Sequence, residues 1–485
     1  MSSDQRKSRV RDSFPGGWLD GIPVFSYQRR DHSYIGGLRL IVLFGMIAFS
    51  ASAVFTQSIF PAKLSLENAV EKALNNDPRT RLAESRIKIA ELKIKEANSG
   101  KQPFVQVTQS VTRSNNPVFV FGSLLEQGRF TASRFELHSL NDPKGLFNFR
   151  SSVGAQMPLF DQRQTRARVD QADIGRRQAE LQAEGVRQQL RFDVIRTYYG
   201  AILDKEMLKV SQEAVRSAEA NKRKTKDMAD VGMTTDADFL AAEVERANVG
   251  QEKLESESEL TTTIAALNLL LGEKPDLEHE IVGDLQERYF PLDDQNELIR
   301  TAFQNRPDYL AAELAIQNSQ RQTRAISDLR LPRVDAFGNV GYSSPYIANG
   351  SSDYTVGVSL TYTLFDPGRK ARIAEAAEAE TSADAEKQVL GRQITLGVIR
   401  AFQNYKTARA KIEVSIKSIA QADEALKIVQ DRYKSGLTTF NEVIRSEAAL
   451  VRAKHNLLTA RYDYYVSYAS VLLATGRLSD VRLFN

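Results

Sequence analysis

A mainly α fold with a membrane β-barrel part is predicted by three features of this sequence. Two very long tracts, about 163–230 and 368–434, are rich in Ala, Glu, Gln, Lys, Arg and Leu and contain no proline, so they read as helices. Segments of alternating apolar and polar residues precede each tract. The arrangement also occurs twice, which makes the long antiparallel coiled-coil helices the product of two internal repeats.

The duplication is read residue by residue. Ala167-Arg168-Val169 lies over Ala371-Arg372-Ile373, Val194-Ile195-Arg196 over Val398-Ile399-Arg400, Gly232 over Gly436, Leu254 over Leu458 and Gly272 over Gly476, all 204 residues apart. Upstream, Asn76-Asp77-Pro78 lies over Asn305-Arg306-Pro307, and Pro103 over Pro332, at a spacing of 229. The difference between 229 and 204 leaves 25 extra residues in the first copy, in the loop around 116–147.

Residues 1–53 read as a signal peptide: a long basic n-region up to Arg39, the apolar core LIVLFGMIAFS, then Ala51-Ser52-Ala53 as a cleavage site, with the mature chain expected from near Val54. The apolar run is shorter than the ~20 residues of a bilayer-spanning helix. Taking the seven basic and four acidic residues of 1–53 from totals of 65 and 61 leaves 58 and 57, a balance that gives nucleic-acid binding no support. Cysteine is absent, which excludes thiol catalysis, disulfides and thiolate metal sites, and the four histidines lack metal-ligand spacing. No G-x-S-x-G, H-E-x-x-H or P-loop pattern occurs, so neither an enzyme nor a cofactor is expected.

The first repeat is placed at 54–272: a helix over about 65–100, a β-hairpin at 103–160, and a long helical hairpin with its tip near 230–236. A linker at 273–294 follows. The second repeat, 295–476, carries a helix to about 328, a β-hairpin at 332–365 and a helical hairpin with its tip near 434–440, leaving 477–485 as a tail. In it Ile412, Ile419, Leu426 and Tyr433 recur every seven residues, with Ala422 and Val429 three after the middle pair. That is a coiled-coil seam. At 1.5 Å per residue such helices span about 100 Å.

The segment DYTVGVSLTYTLF, 353–365, sends Tyr354, Val356, Val358, Leu360, Tyr362 and Leu364 to one face and Thr355, Gly357, Ser359, Thr361 and Thr363 to the other. Residues 147–159 do the same, and 104–113 and 333–342 more loosely. Such strands fit a membrane barrel with a lipid-facing side, although any one of them fits a soluble sheet packed on helices. In hydrocarbon, open sheet edges are not tolerated. Four strands cannot close alone, since barrels begin at about eight, so several chains must share one barrel.

Each helical hairpin turns at one grammar, DMADVGMTTDADF at 227–239 and YKSGLTTFNEV at 433–443. Gly436 suits the left-handed residue that ends a helix. Thr439 with Glu442 is a capping-box pattern, and Thr235 with Asp238 is a weaker version of it.

The duplicated helix–hairpin–helix layout, the LSLENAVEKALNNDP opening at 64–78, the strand-to-helix junctions MPLFDQ and YTLFDP, and the paired glycine corners together resemble the TolC family of outer-membrane efflux proteins. The resemblance covers about 64–476. It implies a homotrimer in which four strands per chain build a twelve-stranded barrel in outer-membrane lipid, continued by a helical tunnel across the periplasm. A periplasmic adaptor and an inner-membrane pump are implied as partners. The extra loop then lies at the extracellular mouth, as a partial lid or as an ordinary structured loop. The tips become a periplasmic gate, with Tyr433 and Asp238 matching the family pattern and Thr438 standing where that pattern has arginine. Glu442 and Arg445 take the positions of two acids that line the narrowest pore, which implies a mixed-charge constriction. Gly232, Met233, Thr234, Gly436 and Leu437 are implied as the adaptor-docking tips. The competing reading is a periplasmic coiled-coil tether without a pore, which leaves the amphipathic strands and the paired corners without a role.

Overall fold

The computed structural model describes residues 62–286, 288–346, 349–479 and 484. The expected signal peptide lies outside the described residues. Strand β1 (Ala62–Leu64) leads to α1 (Leu66–Asn76), capped by the Ser65 hydroxyl, and α2 (Pro78–Ser99). Where one helix was expected over 65–100 there are two, and the same holds for α7 (Gln295–Asn305) and α8 (Pro307–Asp328) in the second half. The cause is local. Pro78 and Pro307 sit at the first helical position, and Asp77 and Arg306 before them are extended, with ψ of 130° and 122°.

The first β-hairpin joins β2 (Phe104–Ser114) to β3 (Leu146–Asp161). The connection between them holds α3 (Pro117–Glu126), a 3-10 turn at Ala132–Phe135 and α4 (Leu137–Asn141). Then come α5 (Gln164–Asp230), α6 (Asp236–Leu270) and the short β4 (His279–Ile281), which pairs with β1 in parallel. The second half continues through β5 (Arg333–Ser344), β6 (Ser351–Thr361), α9 (Arg369–Lys434) and α10 (Phe440–Ala474).

The four longer strands form one antiparallel sheet in the order β2-β3-β5-β6. Its register sets Val107 opposite Val153, Val153 opposite Val340 and Val340 opposite Tyr354, so one face is apolar across all four strands. On that face Tyr354, Val356, Val358 and Leu360 are 80, 78, 65 and 68% exposed, so nothing among the described residues covers it. Strand β6 stops at Thr361, short of the expected Phe365, which leaves the exposed Tyr362 just past its end. Thr361 pairs with Arg333, and Pro332 before Arg333 has no N–H to extend the ladder.

Helix lengths explain the rest of the layout. At 1.5 Å per residue, the 67-residue α5 and 66-residue α9 each reach about 100 Å. The 22-residue α2 and 35-residue α6 stack end to end beside α5, and α8 and α10, of the same two lengths, beside α9. Each stacking junction is pinned: the Asn76 side chain donates to the Leu271 carbonyl (3.0 Å) and Arg306 to that of Ala474 (3.2 Å). Here also lies the main hydrophobic core, with Leu190, Ile195, Leu267, Ile394, Val471 and Leu478. An aromatic cluster joins it, in which Phe290 stacks on Tyr468 at 4.4 Å. Tyr198 donates its hydroxyl to the Leu64 carbonyl (2.8 Å), tying α5 to the β1–β4 pair. No helix among the described residues is long and apolar enough to cross a membrane.

The junction predicts an acid response. Burial pushes the Asp77 carboxyl up, but its hydrogen bonds with Arg79 outweigh that and hold it below the usual range. Glu273 follows the same pattern, with Lys72 and His279 outweighing burial. A carboxyl whose folded pKa is depressed stabilises the fold above its unfolded pKa of ~4 and loses that contribution as pH falls further. Thermal unfolding in detergent is expected at lower temperature as pH drops from about 5 to 3. Asp77→Asn, which keeps the cap, is expected to unfold earlier at pH 7 and to flatten that dependence.

Candidate functional site

Both helical hairpins end in the same five-residue turn, 231–235 and 435–439. Gly232 and Gly436 hold φ of +71° and +70°. After them, the Met233 N–H donates to the Met228 carbonyl and the Leu437 N–H to that of Arg432, each at 2.8 Å. The preceding bonds, Gly232 to Ala229 (2.9 Å) and Gly436 to Tyr433 (3.0 Å), complete Schellman caps. No atom lies within 4 Å of a Cβ added at either glycine, so these two positions require glycine for its backbone alone. Met233 and Leu437 are 71 and 68% exposed beside them, two apolar side chains with no cover among the described residues.

The restart of each hairpin reverses the expected strengths. In the first, the Asp238 N–H donates to Thr235 Oγ1 (3.2 Å), and Thr234 Oγ1 donates to the Asp238 carboxylate (2.7 Å). In the second, Thr439 makes no side-chain cap bond, and the Glu442 carboxylate turns forward to Arg445 (3.1 Å) instead of back to the cap. Asp238 is thus committed within its own hairpin, and no hydrogen bond joins it to Tyr433 among the described residues. Thr438 is half-buried. Glu442 and Arg445 are brought together as an ion pair one turn apart.

Tyr433 is buried in a second hydrophobic core with Leu426, Phe440 and Val443 from its own hairpin and Ala242 from the other. Its ring centroid lies 5.5 Å from that of Phe440. Its hydroxyl is buried with no hydrogen-bond partner among the described residues. The heptad positions behave as the seam requires: Ile412, Leu426 and Tyr433 are buried, and Ile419, Ala422 and Val429 half-buried.

Several residues at this site carry no motif. Glu447 on α10 accepts both bonds from the Asn221 amide of α5 (2.9 Å each) and one from Ser217 (3.1 Å), clamping one hairpin to the other. Above the clamp the hairpins enclose a cavity of about 550 Å³, lined by Glu245, Glu252, Val249, Leu426 and His455 among others. Burial pushes the Glu245 carboxyl up and the His455 imidazole down. The available signal was comparative: at a spacing of 204, Tyr433, Phe440 and Val443 face Ala229, Asp236 and Phe239. The second hairpin supplies large side chains where the first has mostly small or polar ones.

The sequence matches the outer membrane efflux protein family over residues 69–273 and 298–477. Outer membrane protein TolC of Vibrio cholerae is 23% identical over 74% of this chain and 83% of its own length. Outer membrane efflux protein BepC of Brucella suis is 25% identical over 68% and 73%. The crystal structure of the Campylobacter jejuni CmeC outer membrane channel has the same fold, with a TM-score of 0.70 over 86% of this chain and 87% of that one at 17% identity. The family's members are outer-membrane channel proteins and its work is transport, not catalysis. With its tunnel-length helices, its four-stranded sheet and a match over most of its length, this chain belongs to the outer membrane efflux protein family, the family of TolC.

Proposed function

We propose that three copies of this chain form an outer-membrane export duct, in which two duplicated units, 54–272 and 295–476, each supply one β-hairpin and one helical hairpin. The observation that carries the reading is the sheet: four strands, a bare apolar face and two unpaired edges, β2 and β6. Lipid tolerates the face but not the edges. Pairing β6 of one copy with β2 of the next removes every edge once the ring closes, and three copies give twelve strands. Tyr354, Val356, Val358 and Leu360 then face lipid, with Tyr362 at the rim.

The six hairpin tips gather at the periplasmic end as the gate. Exposed Met233 and Leu437, beside Gly232, Thr234 and Gly436, offer the small apolar surface on which a periplasmic adaptor docks, and an inner-membrane pump supplies the energy. The duct itself makes and breaks no bond. Residues 273–294 wrap the tunnel at its middle, where Phe290 enters the core. What is exported follows from the pump.

At the tip, three Glu442–Arg445 pairs make a ring of mixed charge. Purified protein in planar bilayers is expected to form ion-conducting channels. Glu442→Gln leaves three unpaired arginines and is expected to shift selectivity toward anions. Unchanged conductance and selectivity in that variant would remove Glu442 from the pore.

A further inference from the structure

Residues 115–145, which make the first β-connection longer than the second, fold into a small body with an aromatic cluster of its own. Phe121, Phe130 and Phe135 meet edge to face, with centroids 4.9 Å apart for the first pair and 5.0 Å for the second. Helix α3 packs on β3, β5 and β6, with Val120, Ser123, Leu124 and Gln127 buried.

The contacts fall on one face of the sheet. Gln127 donates to the Asn148 side chain (3.0 Å) and the Phe147 carbonyl (2.9 Å), and the Ser343 hydroxyl donates to Glu126 (3.2 Å). The Arg150 guanidinium stands 3.4 Å from the Glu126 carboxylate and makes two bonds of 3.0 Å to Asp353. By register, Asn148, Arg150, Ser343 and Asp353 all project from the polar face, opposite the bare apolar side of Tyr354 and Val356. The connection turns inward over that face, at the sheet end away from the long helices.

We propose that this body is a lid seated in the lumen of the barrel mouth, latched by Glu126, Arg150 and Asp353, and that it limits what leaves the duct. The proposal rests on the channel reading, under which the polar face lines the pore. Arg150 is the keystone because it bridges two carboxylates; without it Glu126 and Asp353 repel each other in one site. Val118, Leu125 and Leu137 are exposed on the lid, and three lids converging on the axis would bring such residues together.

Single-channel conductance tests this in the Tyr433→Ala background, where the periplasmic tip is loosened. Arg150→Ala, and replacement of 117–141 by a short Gly/Ser linker, are each expected to raise conductance further. A reversible control is available, since the chain has no cysteine and a Cβ at Gly128 would stand 3.5 Å from the Ser351 Cβ, within disulfide range. Gly128→Cys with Ser351→Cys, added to Arg150→Ala, is expected to return conductance to the latched level on oxidation and release it on reduction. Equal conductance with and without the lid segment would overturn the lid. Absence of channels from the unaltered protein as well would overturn the channel reading beneath it.

Discussion

Gly476→Ala is expected to be the most damaging single-methyl change among the glycines that close the long helices, with little folded material recovered from membranes. Gly476 holds φ of +71°, which costs an L-residue about 1–2 kcal/mol. A Cβ there would also stand 2.7 Å from the carbonyl carbon and oxygen of Asn305 and 2.8 Å from the Arg306 nitrogen. Those are backbone atoms at the break between α7 and α8, so no rotamer change relieves the clash, and overpacking adds about 1–3 kcal/mol more. Gly272→Ala meets the Asn76 Cβ at 2.7 Å and is expected to rank close behind. Gly436→Ala, with the same φ but open space around it, is expected to cost only about 1–2 kcal/mol. Thermal unfolding of the four proteins in detergent checks the order; equal losses at Gly476 and Gly436 would mean that the α7–α8 break does not abut α10 as described.

The contrast between these glycines marks where sequence reasoning reached. All four glycines recur at one spacing and read alike, because a positive φ leaves the same local signature wherever it occurs. Whether a neighbour crowds the residue depends on contacts far along the chain, as between Gly476 and Asn305, and no local pattern carries that. The long helices were legible to within a residue or two, since their composition is uniform and proline-free. The breaks at Asp77 and Arg306 have a local signature in Pro78 and Pro307, but the helical composition on both sides of each proline favours one continuous helix. Strand faces came from alternation alone. The fold of 115–145 did not, because α3 and α4 are short and the aromatic residues of this segment meet in a local cluster instead of lining a periodic face. At the tips Asp238 binds the nearby Thr234 four residues back, and Glu442 binds Arg445 three residues on, local contacts that compete with the cross-hairpin latch a pattern suggests.

Tyr433→Ala is expected to loosen the tip, raising single-channel conductance sharply, whereas Tyr433→Phe separates the two parts of the side chain's role. The ring fills the core shared by the hairpins, against Phe440, Val443 and Ala242. Emptying that space costs about 3–5 kcal/mol, lost from packing within its own hairpin as well as from the contact with Ala242 of the other. Phenylalanine keeps the ring. Within the chain the hydroxyl has no hydrogen-bond partner among the described residues, and an unpaired buried hydroxyl costs about 1–3 kcal/mol. If that were its state in the assembly, Tyr433→Phe would stabilise the protein and leave conductance low. If the hydroxyl instead donates to a neighbouring copy once three tips converge, Tyr433→Phe removes a contact present only in the closed trimer, and conductance rises while the stability of the hairpin core does not fall. The second pattern is expected, because a tip that must open gains from placing a closing bond between copies and its packing within them. Conductance and thermal unfolding measured on the same two variants distinguish the outcomes, and a Tyr433→Phe protein that is both more stable and equally closed would confine this residue to packing.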